Sequence, residues 1–314
     1  MKKNKKKYPF NQCALYKCRS RKKLANILFL NYQELNSIVN VIEYNCFEID
    51  KKNSKDKRKI SAPCKELKHI QRRILTLFQS IERPEWLISG EKGKSYINNA
   101  LYHKDSKYSL TLDIKSFYEN CSREYVFLFF KNKLQMPNDI AKILTDIVTY
   151  NGKIPTGTPT SQLIAYYAYE DMFNEIKQLA DSYNCLFTLY VDDMSFSSTC
   201  SFNHIKLYKQ INLILHKYGH KLKENKINYY SKKDSKKYTG AIINPNGMLE
   251  IPNTLQKNIF DNFQQIKDLK QISTKDKQNI SAYNSLIGRL NAASLIDKTK
   301  FKEIKHLAQL INVK

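Results

Sequence analysis

Leu186-Phe-Thr-Leu-Tyr-Val-Asp-Asp-Met-Ser-Phe-Ser-Ser198 places two runs of β-favouring residues, 186–191 and 194–198, on either side of Asp192 and Asp193. Strand, two-residue gap, strand is the pattern of a tight hairpin, although Asp-Asp is a poorer turn pair than Asn-Gly. Phe187, Leu189 and Val191 would share one face, with Thr188 and Tyr190 on the other. The tip then carries two adjacent carboxylates on a rigid support. Neighbouring acids repel, so a fold that presents them together calls for a cation, and oxygen donors of this kind suit Mg²⁺ or Mn²⁺. Taken alone, the pair reads equally well as an acidic turn.

The chain around it has 314 residues, enough for a sizeable core and two or three subdomains. At 42% hydrophobic and 12% aromatic it is globular rather than disordered. Its 53 Lys and Arg against 29 Asp and Glu leave a net charge of +24, which points to a polyanionic partner and above all to nucleic acid. The cations cluster: residues 1–23 hold ten and no acid, 51–73 hold ten against Asp56 and Glu66, and 221–237 hold seven against Glu224 and Asp234. Apolar runs such as 27–30 and 125–130 are too short to span a bilayer, and the basic start is not followed by a signal-peptide core. Seven scattered cysteines form no CxxC pair, so reduced thiols in a cytoplasmic protein without a membrane partner are expected.

Along the chain, residues 1–23 read as a basic arm in which Tyr8, Phe10, Leu15 and Tyr16 give it something to dock with, followed by a helix over 24–41. Residues 51–60 read as a polar tip or loop entering a strand that Pro63 ends, and Leu67, Ile70, Ile74 and Phe78 recur at helical spacing. Residues 89–103 carry two glycines in a turn and then a short helix. His103 has no second His or Cys at metal spacing, which favours a structural or RNA-contacting role over a metal ligand. Leu110, Leu112 and Ile114 alternate with Ser109, Thr111 and Asp113, giving a strand that delivers Asp113 at its end. Ser122 and Glu124 open the next helix. A helix over 138–150 precedes Pro155-Thr-Gly-Thr-Pro-Thr-Ser161, a loop that opens a long helix over 161–180 and offers its free N–H groups to a phosphate. Residues 205–218 are an amphipathic helix, and 238–243 are strand-like. Three apolar stripes in the last sixty residues, over 255–266, 283–290 and 301–311, make a helical core.

Should the strand ending at Asp113 pair with the 186–198 hairpin, three carboxylates meet. Such a cluster can hold two divalent cations about 3.5–4 Å apart, which suits in-line phosphoryl displacement. A two-metal nuclease would use similar acids.

In their order and spacing these motifs resemble those of reverse transcriptases, and among them the retron reverse transcriptases of bacteria, over roughly residues 50–300. Arg58-Lys-Ile-Ser-Ala-Pro63 with Leu67-Lys-His-Ile-Gln71 looks like the first fingers block. Asn99-Ala-Leu-Tyr-His103 matches the retron Asn-Ala-x-x-His element. Leu112-Asp-Ile-Lys-Ser-Phe-Tyr118, the 155–161 loop and Tyr190-Val-Asp-Asp193 look like the catalytic blocks, and Tyr238-Thr-Gly240 resembles the retron Val-Thr-Gly triplet. Departures from the family pattern include Thr156 for glutamine, Val191 for alanine and Tyr238 for valine.

The resemblance implies an α+β right-hand polymerase of fingers, palm and thumb, with an antiparallel palm sheet and a helical thumb. Its divisions would be a basic arm and helix over 1–50, fingers over 51–105, palm over 106–245 with fingers elements at 138–160, and thumb over 246–314. By the same resemblance Asp113 and Asp192 would ligate two Mg²⁺ ions, Mn²⁺ being possible, with Asp193 completing the cluster. Tyr118 would exclude a 2′-hydroxyl by clash, Arg58 with Lys55 would grip the dNTP triphosphate, and Gly157 would let backbone approach the nascent pair. Lys226 would be a general acid. Asn99, His103, Lys68, Thr239 and Gly240 are candidate RNA contacts. The implied function is RNA-directed DNA synthesis on a cognate structured non-coding RNA, giving RNA-linked single-stranded DNA within an antiphage retron system that has a separate effector protein. A group II intron-like or other defence-associated reverse transcriptase, and a non-catalytic RNA-binding scaffold, are the competing readings.

Overall fold

The computed structural model describes residues 7–50, 57–269, 271–273 and 275–313. In chain order it builds α1 (Arg21–Leu28), α2 (Tyr32–Asn36), β1 (Tyr44–Asp50), β2 (Lys57–Pro63), α3 (Lys65–Gln79), α4 (Tyr96–Tyr102) and β3 (Tyr108–Asp113). Then come α5 (Phe117–Asn120), α6 (Arg123–Leu128), α7 (Asn138–Val148), α8 (Ser161–Ala168) and α9 (Glu170–Ser182). After the hairpin of β4 (Leu186–Tyr190) and β5 (Asp193–Ser198) follow α10 (His204–Lys217), β6 (Asn228–Tyr230), β7 (Lys236–Tyr238), β8 (Ala241–Ile243) and β9 (Leu249–Glu250). The chain closes with α11 (Asn253–Ile266), β10 (Gln271–Ile272), α12 (Lys277–Ser294), α13 (Lys302–Gln309) and β11 (Asn312–Val313).

These elements form two compact units. One comprises residues 1–92, 112–194 and 203–227; the other comprises 93–111, 195–202 and 228–314. A four-stranded sheet has the order β4-β5-β3-β6. Within the first unit Ile114 N donates to Asp192 O, and within the second Lys107 N donates to Ser198 O, so β3 and β5 run antiparallel.

In the first unit the basic arm is docked from Lys7 onward. Tyr8 donates its hydroxyl to Leu77 O, Leu15 is fully buried, and the Phe10 ring meets Tyr16, Phe129 and Tyr167. The single helix expected over 24–41 is instead α1, α2 and a 3₁₀ turn. Phe29 takes a left-handed conformation after α1, and a reciprocal Asn31–Glu34 capping box starts α2. The helix expected over 161–180 also breaks, at Tyr169, whose hydroxyl accepts from Ser122 N and donates to Asn120 O.

The hairpin differs by one residue from the sequence expectation. Its tip is Val191–Asp192, and Asp193 already belongs to β5. Val191 sits at φ +62°, a costly region for a β-branched residue, and its N–H donates to the buried Ser89 hydroxyl at 2.8 Å.

In the second unit the expected strand over 238–243 is a tight hairpin. Thr239 and Gly240 both have positive φ, +46° and +98°, as the two-residue turn between β7 and β8 demands. The three apolar stripes of the C-terminal helices do meet. Ile259, Ile266, Leu286, Leu290, Ala308 and Ile311 are buried in one cluster, with Leu255, Phe263 and Ile304 packed against it. Among the described residues no helix is long and apolar enough to cross a membrane, and none of the seven cysteines is disulfide-bonded.

Candidate active site

The end of β3 and the tip of the β4–β5 hairpin lie side by side, because the Ile114–Asp192 backbone hydrogen bond fixes the register at the first residue beyond β3. Segment 221–226 runs along the other side of the same strand end: Lys115 N donates to Lys221 O and Lys223 N to Asp113 O. It thereby carries Lys226 to the site, where its ammonium donates to Asp113 Oδ2 at 2.5 Å. Asp113, Asp192, Asp193 and Lys226, read as one site from the sequence, are brought together.

The electrostatics follow from crowding. Burial, reinforced by the charge of Asp113, pushes Asp192 up to about 6. Burial also raises Asp193, followed by the charges of Asp192 and Asp113 and a hydrogen bond with Asp113. For Lys226 burial works the other way. The Asp113 hydrogen bond and the charges of all three carboxylates outweigh it and hold the lysine above its ordinary value. Lys226 thus acts on all three acids.

Among the described residues no three His, Cys, Asp or Glu side chains stand arranged to hold a metal ion. In this arrangement Lys226 takes the counter-cation's position beside Asp113. The donor set itself fits a hard divalent ion, since it consists of carboxylates whose mutual repulsion is only partly relieved.

Tyr118 follows Asp113 on α5, and its phenol is raised by burial and then by the charge of Asp192, with Arg58 acting in the opposite sense. Arg58 also lowers Asp192, so the exposed Arg58 of β2 and the Tyr118 ring both lie within the electrostatic reach of the acidic tip. The ribbon of β1 and β2 is joined to the 155–161 loop by Ser61 N donating to Thr156 O at 2.8 Å. Gly157 lies there at φ +111°, and a Cβ on it would stand 2.8 Å from Ile60 Cγ2. Only glycine fits both the dihedral and the gap. The loop is closed on itself, with Thr158 bonded to Ser161 and Ser161 donating to Pro155 O, each at 2.5 Å. Lys68 is exposed on α3, and Lys55 lies outside the described residues.

The remaining candidates gather in the second unit. Asn99 Nδ2 donates to Thr239 Oγ1 at 2.9 Å. His103 Nδ1 is 2.6 Å from Ser197 Oγ, and its ring stacks on Tyr238 with centroids 4.8 Å apart. Asn99 and His103 are fully buried, and burial pushes His103 down to about 3, so it is neutral. They hold α4 and its C-cap residue His103 to the 238–240 turn from inside, leaving the half-buried Thr239 and the exposed Gly240 at the surface.

Ser89 was not legible as a site residue. It supports the strained Val191 from about a hundred positions away, and the only local signal is the neighbouring Gly90 turn.

The family described as "Reverse transcriptase (RNA-dependent DNA polymerase)" matches residues 49–243, and the chain belongs to it. The mixed helical and antiparallel-sheet architecture is that family's α+β right-hand polymerase fold. Within the family the resemblance to retron enzymes holds. The Retron Se72 reverse transcriptase of Salmonella heidelberg (strain 579083-10) is 30% identical over 222 residues, covering 68% of this chain and 58% of that protein. The Retron Ec86 reverse transcriptase of Escherichia coli is 26% identical over 202 residues, covering 64% and 63%. The match thus spans about three-fifths of the length of these relatives. Among solved structures, apo telomerase from Candida tropicalis truncated from its C-terminal domain aligns with a TM-score of 0.50 at 12% identity. That alignment covers 68% of this chain and 55% of that one, a likeness of fold.

Proposed function

We propose that this chain is an RNA-directed DNA polymerase that copies a cognate structured non-coding RNA into small RNA-linked single-stranded DNA, as part of a cytoplasmic antiphage retron system with a separate effector protein. The observation that carries the reading is the convergence of Asp113 with the Asp192–Asp193 tip, in a chain of the reverse transcriptase family. We assign fingers to 51–105, palm to 106–245 with fingers elements at 138–160, and thumb to 246–314, behind the 1–50 arm and helix.

Asp113 and Asp192 would hold two Mg²⁺ ions, with Asp193 beside them. Bound there, the metal would supply charge neutralisation for a primer hydroxyl and a triphosphate. The protein's own groups divide the rest of the work. Arg58, an exposed guanidinium facing the acidic tip, binds the triphosphate of an incoming dNTP. The half-buried Tyr118 side chain stands where a ribose 2′-hydroxyl would meet it, so deoxynucleotides are selected by clash. Gly157 keeps the loop flat against β2 where a base pair would lie. Lys226, held protonated, has a proton to give to departing pyrophosphate.

Sequencing the nucleic acid that co-purifies with the protein, before and after RNase treatment, tests the reading. A uniform small single-stranded DNA joined to RNA is expected. Heterogeneous RNA with no joined DNA would remove the retron assignment.

A further inference from the structure

Phe29 is an aromatic side chain in a place where folding alone would not put one. It ends α1 in the left-handed conformation, φ +59° and ψ +41°, a position that favours glycine or asparagine, and 71% of it is exposed. The ring is nonetheless fixed. The Arg73 guanidinium lies over one face at 4.0 Å from the centroid, and Arg73 Nε is itself anchored on Ile27 O at 2.8 Å. The exposure leaves the other face free to solvent. Tyr32, three residues on, is also half exposed.

Arg73 belongs to α3, whose outer surface carries Lys65, Lys68, His69 and Arg72, all exposed. Those positions are spaced i, i+3, i+4 and i+7, so they line one face over about 10 Å of helix axis. Lys22 and Lys23 of α1 are exposed as well, and the nearby acids are few: Glu66 on α3, Glu34, whose carboxylate accepts from Asn31 N, and Asp139, which pairs with Arg21 of α1. A cationic track leading to a ring with one open face matches the two features of a single strand, its phosphates and its unpaired bases. A duplex has the phosphates but no base face to offer.

We propose that Phe29, backed by Arg73 and flanked by the α3 cations, is a stacking platform for an unpaired base of single-stranded nucleic acid. This site is separate in its residues from the catalytic carboxylates and stands or falls without polymerisation. Binding can therefore be measured on the full chain in the absence of dNTPs and divalent metal.

Fluorescence anisotropy with a labelled 12-nucleotide single-stranded RNA, the same sequence as single-stranded DNA, and a 12-base-pair RNA duplex gives the test. F29A is expected to weaken at least one single strand about 5- to 100-fold and the duplex by less than twofold, with F29W restoring wild-type affinity. The two single-stranded arms show whether the platform takes RNA, DNA or both. K68A/R72A should weaken all three ligands and flatten their salt dependence. F29A binding every ligand as wild type does, or F29L matching F29W, would overturn the proposal and leave the patch to a protein partner.

Discussion

At the scale of single residues, the site is a place where stability is given up for chemistry. Asp192 and Asp193 are both held above the ordinary carboxylate value, chiefly by burial, then by the charge of Asp113 on Asp192 and by the charges of Asp192 and Asp113 on Asp193. A raised acid makes the folded state bind more protons than the unfolded one, so its contribution to stability falls as pH rises from the ordinary value of 3.8 through about 6. In chelator, D192N/D193N should therefore melt roughly 2–4 °C higher than wild type at pH 8. Calorimetry should find that gap narrowing as pH is lowered towards 5; a gap independent of pH would mean the carboxylates are not in conflict. Gly157 carries a different constraint. Gly157→Ala adds a methyl 2.8 Å from Ile60 Cγ2 at φ +111°, and overpacking of this kind costs about 1–3 kcal/mol. Urea unfolding of G157A, I60A and G157A/I60A separates the two causes: removing Ile60 Cγ2 should recover the clash but not the dihedral strain.

At the scale of elements, the two signature segments around Asn99 and Thr239 are one structural latch. The Asn99–Thr239 bond and the stack of His103 on Tyr238 join α4 to the β7–β8 turn. A double-mutant cycle on N99A and T239V should return a coupling of about 0.5–1.5 kcal/mol in urea unfolding, and simple additivity would break the latch apart. Tyr238, which departs from the family's valine, is the stacking partner itself. Which elements could be read in advance follows the same logic. The strand ending at Asp113, the hairpin and the three C-terminal stripes are local patterns of apolar spacing, and they are legible in the sequence. The exact tip of the hairpin was not, because Val191 is held at positive φ by Ser89 from a distant loop. Nor was the break between α8 and α9, since Tyr169 stops the helix by bonding Ser122 and Asn120 rather than through glycine or proline. The 238–243 segment differs for another reason: its apolar residues favour a continuous strand, whereas Thr239-Gly240 turns it into a hairpin. That Asn99 and His103 face inward could not be seen without their partners.

At the scale of the whole molecule, charge is the dominant property. A net +24 over 314 residues, concentrated in three segments, makes nucleic-acid binding a matter of counterion release. Between 50 and 200 mM salt the affinity for structured RNA should fall by about 10³-fold or more, the loss expected for at least six phosphate contacts. A shallow dependence measured by filter binding would point to recognition by uncharged contacts instead. The fold then has to place three neighbouring carboxylates within this cationic frame, and it does so where β3, the β4–β5 tip and segment 221–226 meet. The most direct test is extension of a labelled primer on an RNA template by purified protein with Mg²⁺ and dNTPs, comparing wild type with D113N in parallel with RNA affinity. Extension by wild type, loss of at least about 10³-fold in D113N, and unchanged RNA binding are predicted. Extension by D113N at the wild-type rate would contradict the shared carboxylate site.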